Sequence, residues 1–402
     1  MTSTVTGPPV FGFFMIPMTQ AMGIGRGTFT LAFSIRAITA GLSGPIIGPL
    51  VDRHGPRTLM FLGSLLSGLV VMGLGGVQAF WQFAFAFAVL GFTVTAGMGR
   101  IVSLVTVARW FVRKRGRALA FATSGFSVGV AVFAPLSQGL ITIVGWRLSW
   151  VILGACIWLV MIPASLAFMR KSPEAMGLKP DGDAPKQSHL SSVPEADSPS
   201  GDVSWTFGMA VRTRSLWLLQ VSFVLTAAAI PAVTIHQVPA ILDKGFGVVV
   251  AVVAVFIFGI TGIVAKIIFG FLVERILIQF VTIGCLLGSA ASLFLLVIAD
   301  STPMIYAYSF TYGLLRGAIP TLESIIWADY FGRDFLGTIR GVLQPFTVIA
   351  GAIGPVLAGL LFDLTLSYTA ALTTFIAMYL ISASVLAFAP PPSYPQLQEQ
   401  VI

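Results

Sequence analysis

Gly48-Pro49-Leu50-Val51-Asp52-Arg53-His54-Gly55-Pro56-Arg57 is a polar, turn-rich decapeptide set between two long apolar stretches. The run that precedes Asp52, residues 28–51, is apolar enough to cross a bilayer, and residues 58–77 are apolar enough to cross back. Gly55-Pro56 forces a tight turn between them. The decapeptide therefore reads as a hairpin between two membrane helices, with Asp52, Arg53 and Arg57 at its polar tip.

Outward from this hairpin the same composition persists. The 402 residues are 56% hydrophobic and 9% charged, with a mean hydropathy of +0.94, whereas a soluble domain carries roughly a quarter charged residues. The lipid bilayer is the implied solvent and partner. A net charge of +8 could suggest nucleic acid, but no soluble basic domain is present to hold it, so nucleic acid is excluded as a partner. Cys156 and Cys285 each sit inside an apolar run, which argues against a disulfide framework or a metal cluster. No metal or other cofactor is expected. The chain carries no His/Asp metal cluster, no Ser-His-acid set and no Gly-x-x-x-x-Gly-Lys-Ser/Thr loop, so an enzyme or an ATP-driven pump is not expected either.

Apolar segments divide the chain into twelve spans. The first ends near Met18 and is barely long enough to cross, so helix 1 reads as truncated. Five more spans follow to Met169, and residues 170–214 form a linker rich in Pro, Ser, Asp and Lys. Trp205 to Val211 reads as a short interfacial helix. Six further spans lie within 215–389, and 390–402 is a Pro-rich tail. The expected domains are thus a six-helix half at 1–169, a cytosolic linker at 170–214, a second six-helix half at 215–389 and a cytosolic tail at 390–402. With Met1 on the inner side, 16 of the 23 Lys and Arg residues fall in inner loops and the linker, three in outer loops and four inside helices. The positive-inside rule then puts both termini in the cytosol of a multi-pass protein of the cytoplasmic membrane. An internal repeat supports two halves: Pro17, Gly23, Gly48 and Asp52-Arg53 recur as Pro239, Gly245, Gly270 and Glu274-Arg275, all at an offset of 222 residues.

The pattern Gly48-x-x-x-Asp52-Arg53-x-Gly55-x-Arg57 between helices 2 and 3 resembles the signature loop of the major facilitator superfamily. Further stretches resemble its monocarboxylate transporter and oxalate/formate antiporter branch. They are Trp110-Phe111 to Arg115-Gly116-Arg117-Ala118, Gly125-x-x-x-Gly129, Pro135-Leu136-Ser137-Gln138 and Gly145-Trp146-Arg147. So are Ser172-Pro173-Glu174-x-x-Gly177, Tyr330-Phe331-Gly332-Arg333 and Gly337-x-Ile339-Arg340-Gly341. The resemblance implies an all-α integral membrane fold, twelve transmembrane helices in two six-helix halves, with a substrate site near the midplane and alternating access by rocking of the halves.

Ionisable residues inside a spanning helix are costly and mark functional sites by default. Here they are Arg36, Arg100, Lys266 and Arg316, with Glu323 as the single acid. Such an excess of cations favours an anionic substrate. Lys266 and Arg100 lie roughly 12 and 13 Å from the inner ends of their helices, near the midplane, while Arg316 is expected in the outer half of helix 10 and Arg36 closer still to the outer surface. Lys266-x-x-x-Gly270 matches the place where monocarboxylate transporters carry a carboxylate-binding arginine. A lysine there offers a point charge in place of a bidentate fork. The acid that the family places one turn earlier is Gly262 here, and 341–362 lacks the second helix 11 cation of oxalate transporters, which favours a monoanion over a dicarboxylate.

Lys266, Arg100 and Arg316 are thus the candidate substrate-binding residues and Glu323 the candidate proton-coupling acid, with a proton as candidate co-substrate. A static buried ion pair among Arg100, Arg316 and Glu323 is the competing structural reading. His236, near the outer end of helix 7, reads as a satisfied interfacial histidine ahead of a gate or proton group. Asp52 reads as a conformational latch that meets Arg340 or the positive N-terminal end of helix 11 in the outward-open state. Glu274 and Arg275, with Arg115 or Arg117, form its repeat-related counterpart. The function that follows is secondary active transport of small organic monoanions, by symport or antiport. An efflux transporter for amphipathic compounds, consistent with the 32 Phe residues, and a non-transporting membrane sensor are the alternatives.

Overall fold

The computed structural model describes residues 5, 7–97, 110, 115–169, 205–273, 275–332 and 336–392, with the backbone alone at 44, 45, 48, 49, 51, 52, 96, 97, 115–124, 126 and 336–338. Among these residues every long element is a helix. In order they are α1 (Pro8–Met22), Arg26–Gly73, α4 (Phe80–Gly97), Arg115–Phe168, α7 (Arg214–Asp243), α8 (Val248–Leu272), α9 (Ile278–Ile298), α10 (Thr302–Phe331), α11 (Leu336–Thr365) and α12 (Thr369–Ala387). Two of these segments each contain a pair of helices. Gly55 breaks the first at φ 78° and ψ 160°, giving α2 (26–54) and α3 (56–73). Gly145 breaks the second at φ 76° and ψ 164°, giving α5 (115–144) and α6 (146–168). A residue with a Cβ is disfavoured at such a φ, so one glycine suffices to make each hairpin turn. The decapeptide is therefore helical except at Gly55, a tighter turn than a polar loop of ten residues would make.

The result is the expected all-α bundle of twelve helices in two halves. Several described helices are long and apolar enough to cross a membrane, among them Arg214–Asp243, Val248–Leu272, Ile278–Ile298 and Thr369–Ala387. Helix ends are satisfied locally or by neighbours, as a span without water requires. Gly23, at φ 64°, closes α1 with its N–H on Thr19 O, so α1 runs four residues beyond the expected Met18. Lys244 Nζ donates to the carbonyls of Val297 (2.7 Å) and Ala299 (3.2 Å) at the end of α9. Gln279 Nε2 donates to Leu386 O (2.9 Å) and Ala389 O (3.1 Å) at the end of α12. Trp205 and the single turn Phe207–Ala210 lead into α7, with Trp205 buried edge-on against Phe331.

Each half has its own core. In the first, Phe11, Phe29, Phe83 and Phe87 stack in one cluster, and Phe14 lies on Trp150 at 3.9 Å. In the second, α7 to α12 enclose a larger cluster around Phe223, Tyr312, Trp327 and Phe375. The cores interlock along three seams. Ile235 of α7 packs into the first core, while Phe13 of α1 and Val130 and Ala134 of α5 pack into the second. The third seam joins α2 to α11, where the Gly359 and Gly27 backbones lie so close that a Cβ on Gly359 would fall on Gly27.

Candidate translocation site

The loop of residues 48–57 marks one end of the bundle, called here the signature face. The turns α1–α2, α7–α8 and α11–α12 lie at the opposite, far face. Depth along each helix follows from the rise of 1.5 Å per residue.

Arg316 is fourteen residues from either end of α10, to within one residue, about 21 Å deep. It is therefore a midplane residue rather than the outer-half residue expected, because α10 begins at Thr302 and continues to Phe331. Its Nε is buried and has no hydrogen-bond partner among the described residues. Its guanidinium carbon sits 5.4 Å from the centroid of the Phe258 ring. Tyr312 Oη lies 3.0 Å from Tyr379 Oη, and Tyr308 Oη donates to Gln237 Oε1 at 3.4 Å. Tyr308, Tyr312 and Arg316 follow at steps of four on one face of α10, a spacing visible in the sequence and missed there.

Arg36 is the first half's equivalent. Its Nε is also buried without a partner among the described residues, and its guanidinium carbon is 5.6 Å from the Phe33 ring. At ten residues from the start of α2 it is about 15 Å below the far face. Position 36 and Phe258 are repeat-related at the offset of 222, and each half holds one guanidinium over a phenyl ring, supplied from α2 in one half and from α10 in the other.

Lys266 is half-buried and six residues from the signature-face end of α8, about 9 Å, nearer that face than expected. Its helix packs on α10 where Gly262 and Ala265 approach Gly317. Glu323 Oε1 accepts from Arg340 Nη2 at 2.7 Å, and Arg340 Nη1 lies 3.4 Å from Ser324 Oγ. Arg340 itself belongs to the first turns of α11, not to a preceding loop. The pair is 23% and 31% exposed, so its energy is screened. Arg53, Arg57 and Arg275 are exposed, and Gly48 and Asp52 lie in the helical part of the signature segment. Arg115 and Arg117 lie in the first turn of α5. Arg100, Glu274 and residues 170–204 of the linker lie outside the described residues, as do the side chains of Asp52, Arg115 and Arg117.

At the far face the structure brings together charged residues that the sequence had scattered among outer loops. Arg26, the first residue of α2, makes a bidentate pair with Asp243 at the end of α7, at 2.5 and 3.1 Å. Arg26 Nη1 also donates to Tyr368 Oη at 3.0 Å, and its guanidinium lies 3.8 Å from the Phe362 ring. The Asp363 carboxylate accepts the backbone N–H groups of Arg26 and Gly27, both at 2.9 Å. His236 continues the network. Its Nε2 faces the carbonyl of Pro355 at 3.0 Å and its Nδ1 faces Tyr368 Oη at 2.9 Å. A carbonyl only accepts, so Nε2 carries the proton and Nδ1 accepts from the tyrosine hydroxyl. The buried histidine is thereby satisfied, as the sequence reading favoured. Ser34 Oγ adds a hydrogen bond to Ala352 O further along the α2–α11 seam.

The profile of the Major Facilitator Superfamily matches residues 9–346 and 239–401. The chain belongs to that superfamily. Among its relatives, human Monocarboxylate transporter 12 is 26% identical over 367 residues, covering 85% of this chain and 69% of that protein. The Oxalate:formate antiporter of Oxalobacter formigenes is 25% identical over 383 residues, 90% and 84% of the two chains. The crystal structure of a bacterial homolog of the human lysosomal transporter Spinster, in an inward-facing and occupied conformation, superposes with a TM-score of 0.71 at 15% identity, covering 96% of this chain and 94% of that one. This facilitator is thus a multi-pass membrane transporter and not an enzyme, with monocarboxylate and oxalate transporters among its relatives.

Proposed function

We propose that this facilitator carries small organic monoanions by alternating access, and the observation that carries the reading is the charge inventory of its spans. Four cations and one acid occur at membrane depth, and the acid is already held by a fifth cation, Arg340. This excess of cations over acids favours a negatively charged cargo. Lys266 binds the carboxylate, at the position where the sequence resembles monocarboxylate transporters, and Arg316 or Arg100 serves as second cation. Arg316 brings a midplane guanidinium with an unused donor, which a carboxylate oxygen would satisfy. The named relatives, a monocarboxylate transporter and an oxalate:formate antiporter, support an organic-anion cargo.

Glu323 is the coupling acid in this reading. Protonation would discharge its pair with Arg340 and free that guanidinium for Asp52 at the end of α2, linking proton occupancy to the closing of the signature face. The charge distribution of the loops supports a cytosolic signature face and cytosolic termini in a cytoplasmic membrane, with halves at 1–169 and 215–389. Of the 32 Phe residues behind the efflux alternative, Phe11, Phe29, Phe83 and Phe87 are spent on packing the first core. The sensor alternative calls for a partner-binding element in the linker, outside the described residues.

Uptake of a radiolabelled carboxylate panel into proteoliposomes, with and without an inward proton gradient, tests the reading. A monocarboxylate should enter, faster with the gradient, and Lys266→Ala should lower kcat/KM by about 30-fold or more, the cost of removing one partner of a buried charge pair. Uptake indifferent to the substitution would overturn the role of Lys266, and absence of any carboxylate uptake would overturn the substrate class.

A further inference from the structure

Helices α2 and α11 belong to different halves and run antiparallel along one seam. Gly27 faces Gly359, Ser34 bonds to Ala352, and Gly41 faces Val348. At the far face this pairing places Asp363, near the end of α11, on the first two N–H groups of α2. Continued eleven residues beyond the Gly41–Val348 pair, it would bring Asp52, near the end of α2, opposite the first turn of α11 around Gly337. Each helix therefore carries an acid in its last turns, at the end where the other begins, and each N-terminus carries an arginine, Arg26 or Arg340.

We propose that Asp363 and Arg26 form the far-face lock of the alternating-access cycle, the counterpart of the latch that Asp52 is read to make with the start of α11 at the signature face. With the far face shut, Asp363 caps α2 and Arg26 is clamped by Asp243. With the signature face shut, Asp52 caps α11 and Arg340 exchanges Glu323 for it. The two caps cannot be engaged together, because the rocking that closes one end of the seam parts the other.

The physical chemistry supports this use of the two ends. The first N–H groups of a helix have no partner within it, and a carboxylate there both accepts their hydrogen bonds and meets the positive end of the dipole. Asp363 supplies that in trans, so the bond exists only while the halves touch. Arg26 adds a partly buried bidentate pair with its guanidinium over Phe362. The far-face acceptors are one body: His236 ties α7 to α11 through Pro355 and to α12 through Tyr368, so Asp243, Asp363 and Tyr368 leave Arg26 together. Because both settings use the same kind of contact, neither is favoured by more than a few kcal/mol, as repeated cycling requires. The far-face lock has no repeat-related copy: at the offset of 222, position 26 corresponds to Val248. The internal repeat alone therefore does not lead to it.

The proposal rests on the alternating-access reading but not on any substrate, and its test uses none. Cys156 and Cys285 are replaced by alanine and Ser34, buried on the seam, by cysteine. The rate at which a membrane-impermeant maleimide labels position 34 from the far face reports the opening of that face. Asp363→Asn and Asp243→Asn should each raise this rate roughly tenfold, a usual size for coupling between two conformations. Asp52→Asn should lower it, since it weakens the opposite cap, and Asp52→Asn with Asp363→Asn should return toward the parent rate. Opposite signs cannot come from general unfolding, which would raise labelling in every variant. Changes of the same sign at Asp52 and Asp363, or no change at Asp363, would overturn the lock while leaving any uptake result untouched.

Discussion

The two ends of the α2–α11 seam carry the same kinds of groups and hold them differently. At the far face Arg26 reaches across the halves to Asp243, and its own N–H is capped by Asp363 of the other half. At the signature face Arg340 stays within its half, on Glu323. An arginine at a helix start is thus a bridge at one end and an internal tie at the other. What differs, among the described residues, is whether the acid on the arginine comes from the other half or from its own. The comparison turns a charged residue from a static stabiliser into a report on which face is shut.

The strongest way to break that contrast is steric. A side chain at Gly359 would fall on the Gly27 backbone, and overpacking of this kind costs about 1–3 kcal/mol, here borne by the far-closed setting alone. Gly359→Leu should therefore open the far face at least as much as Asp363→Asn, read by labelling of the position 34 cysteine, and should lower uptake sharply. Next is the internal tie. Glu323→Gln removes a screened pair worth no more than about 1 kcal/mol, so the melting temperature should move little, yet uptake should lose its stimulation by a proton gradient. Retention of that stimulation would remove Glu323 from the coupling role. The smallest effect belongs to Leu366, the one non-glycine among the described residues at positive φ, 54°, in the turn that presents Tyr368 to Arg26. Its side chain is 79% exposed, so Leu366→Gly forfeits little packing while relieving a conformation that costs about 1–2 kcal/mol. A gain of up to about 1 kcal/mol in stability, seen as a slightly higher melting temperature with unchanged labelling, is expected after the added chain entropy is counted.

Much of the fold was legible because a bilayer imposes it. Spans of the required length and apolarity, the glycine turn at Gly55 and the offset repeat of Gly48-Asp52 at Gly270-Glu274 are all local signals. Helix ends were less so: α1 ends at Met22 and α10 at Phe331, since apolarity does not mark where hydrogen bonding stops. Arg26, Asp243 and Asp363 fell between the apolar spans and Tyr368 at the start of the last one, and no reading joined them, because their partners are 217 to 342 residues apart. No spacing rule reaches so far.

By itself the sequence determined that the chain is an all-helical membrane transporter of the facilitator type and which ionisable residues fall inside its apolar spans. Those follow from the cost of placing polar groups in hydrocarbon and from short-range turn chemistry. Only the tertiary structure decided that Glu323 belongs to Arg340, that each half encloses a guanidinium over a phenyl ring, and that α2 and α11 share a seam with an acid at each end. These depend on which faces of distant helices meet, and that choice is made by packing, where glycine and side-chain size set the closest approach.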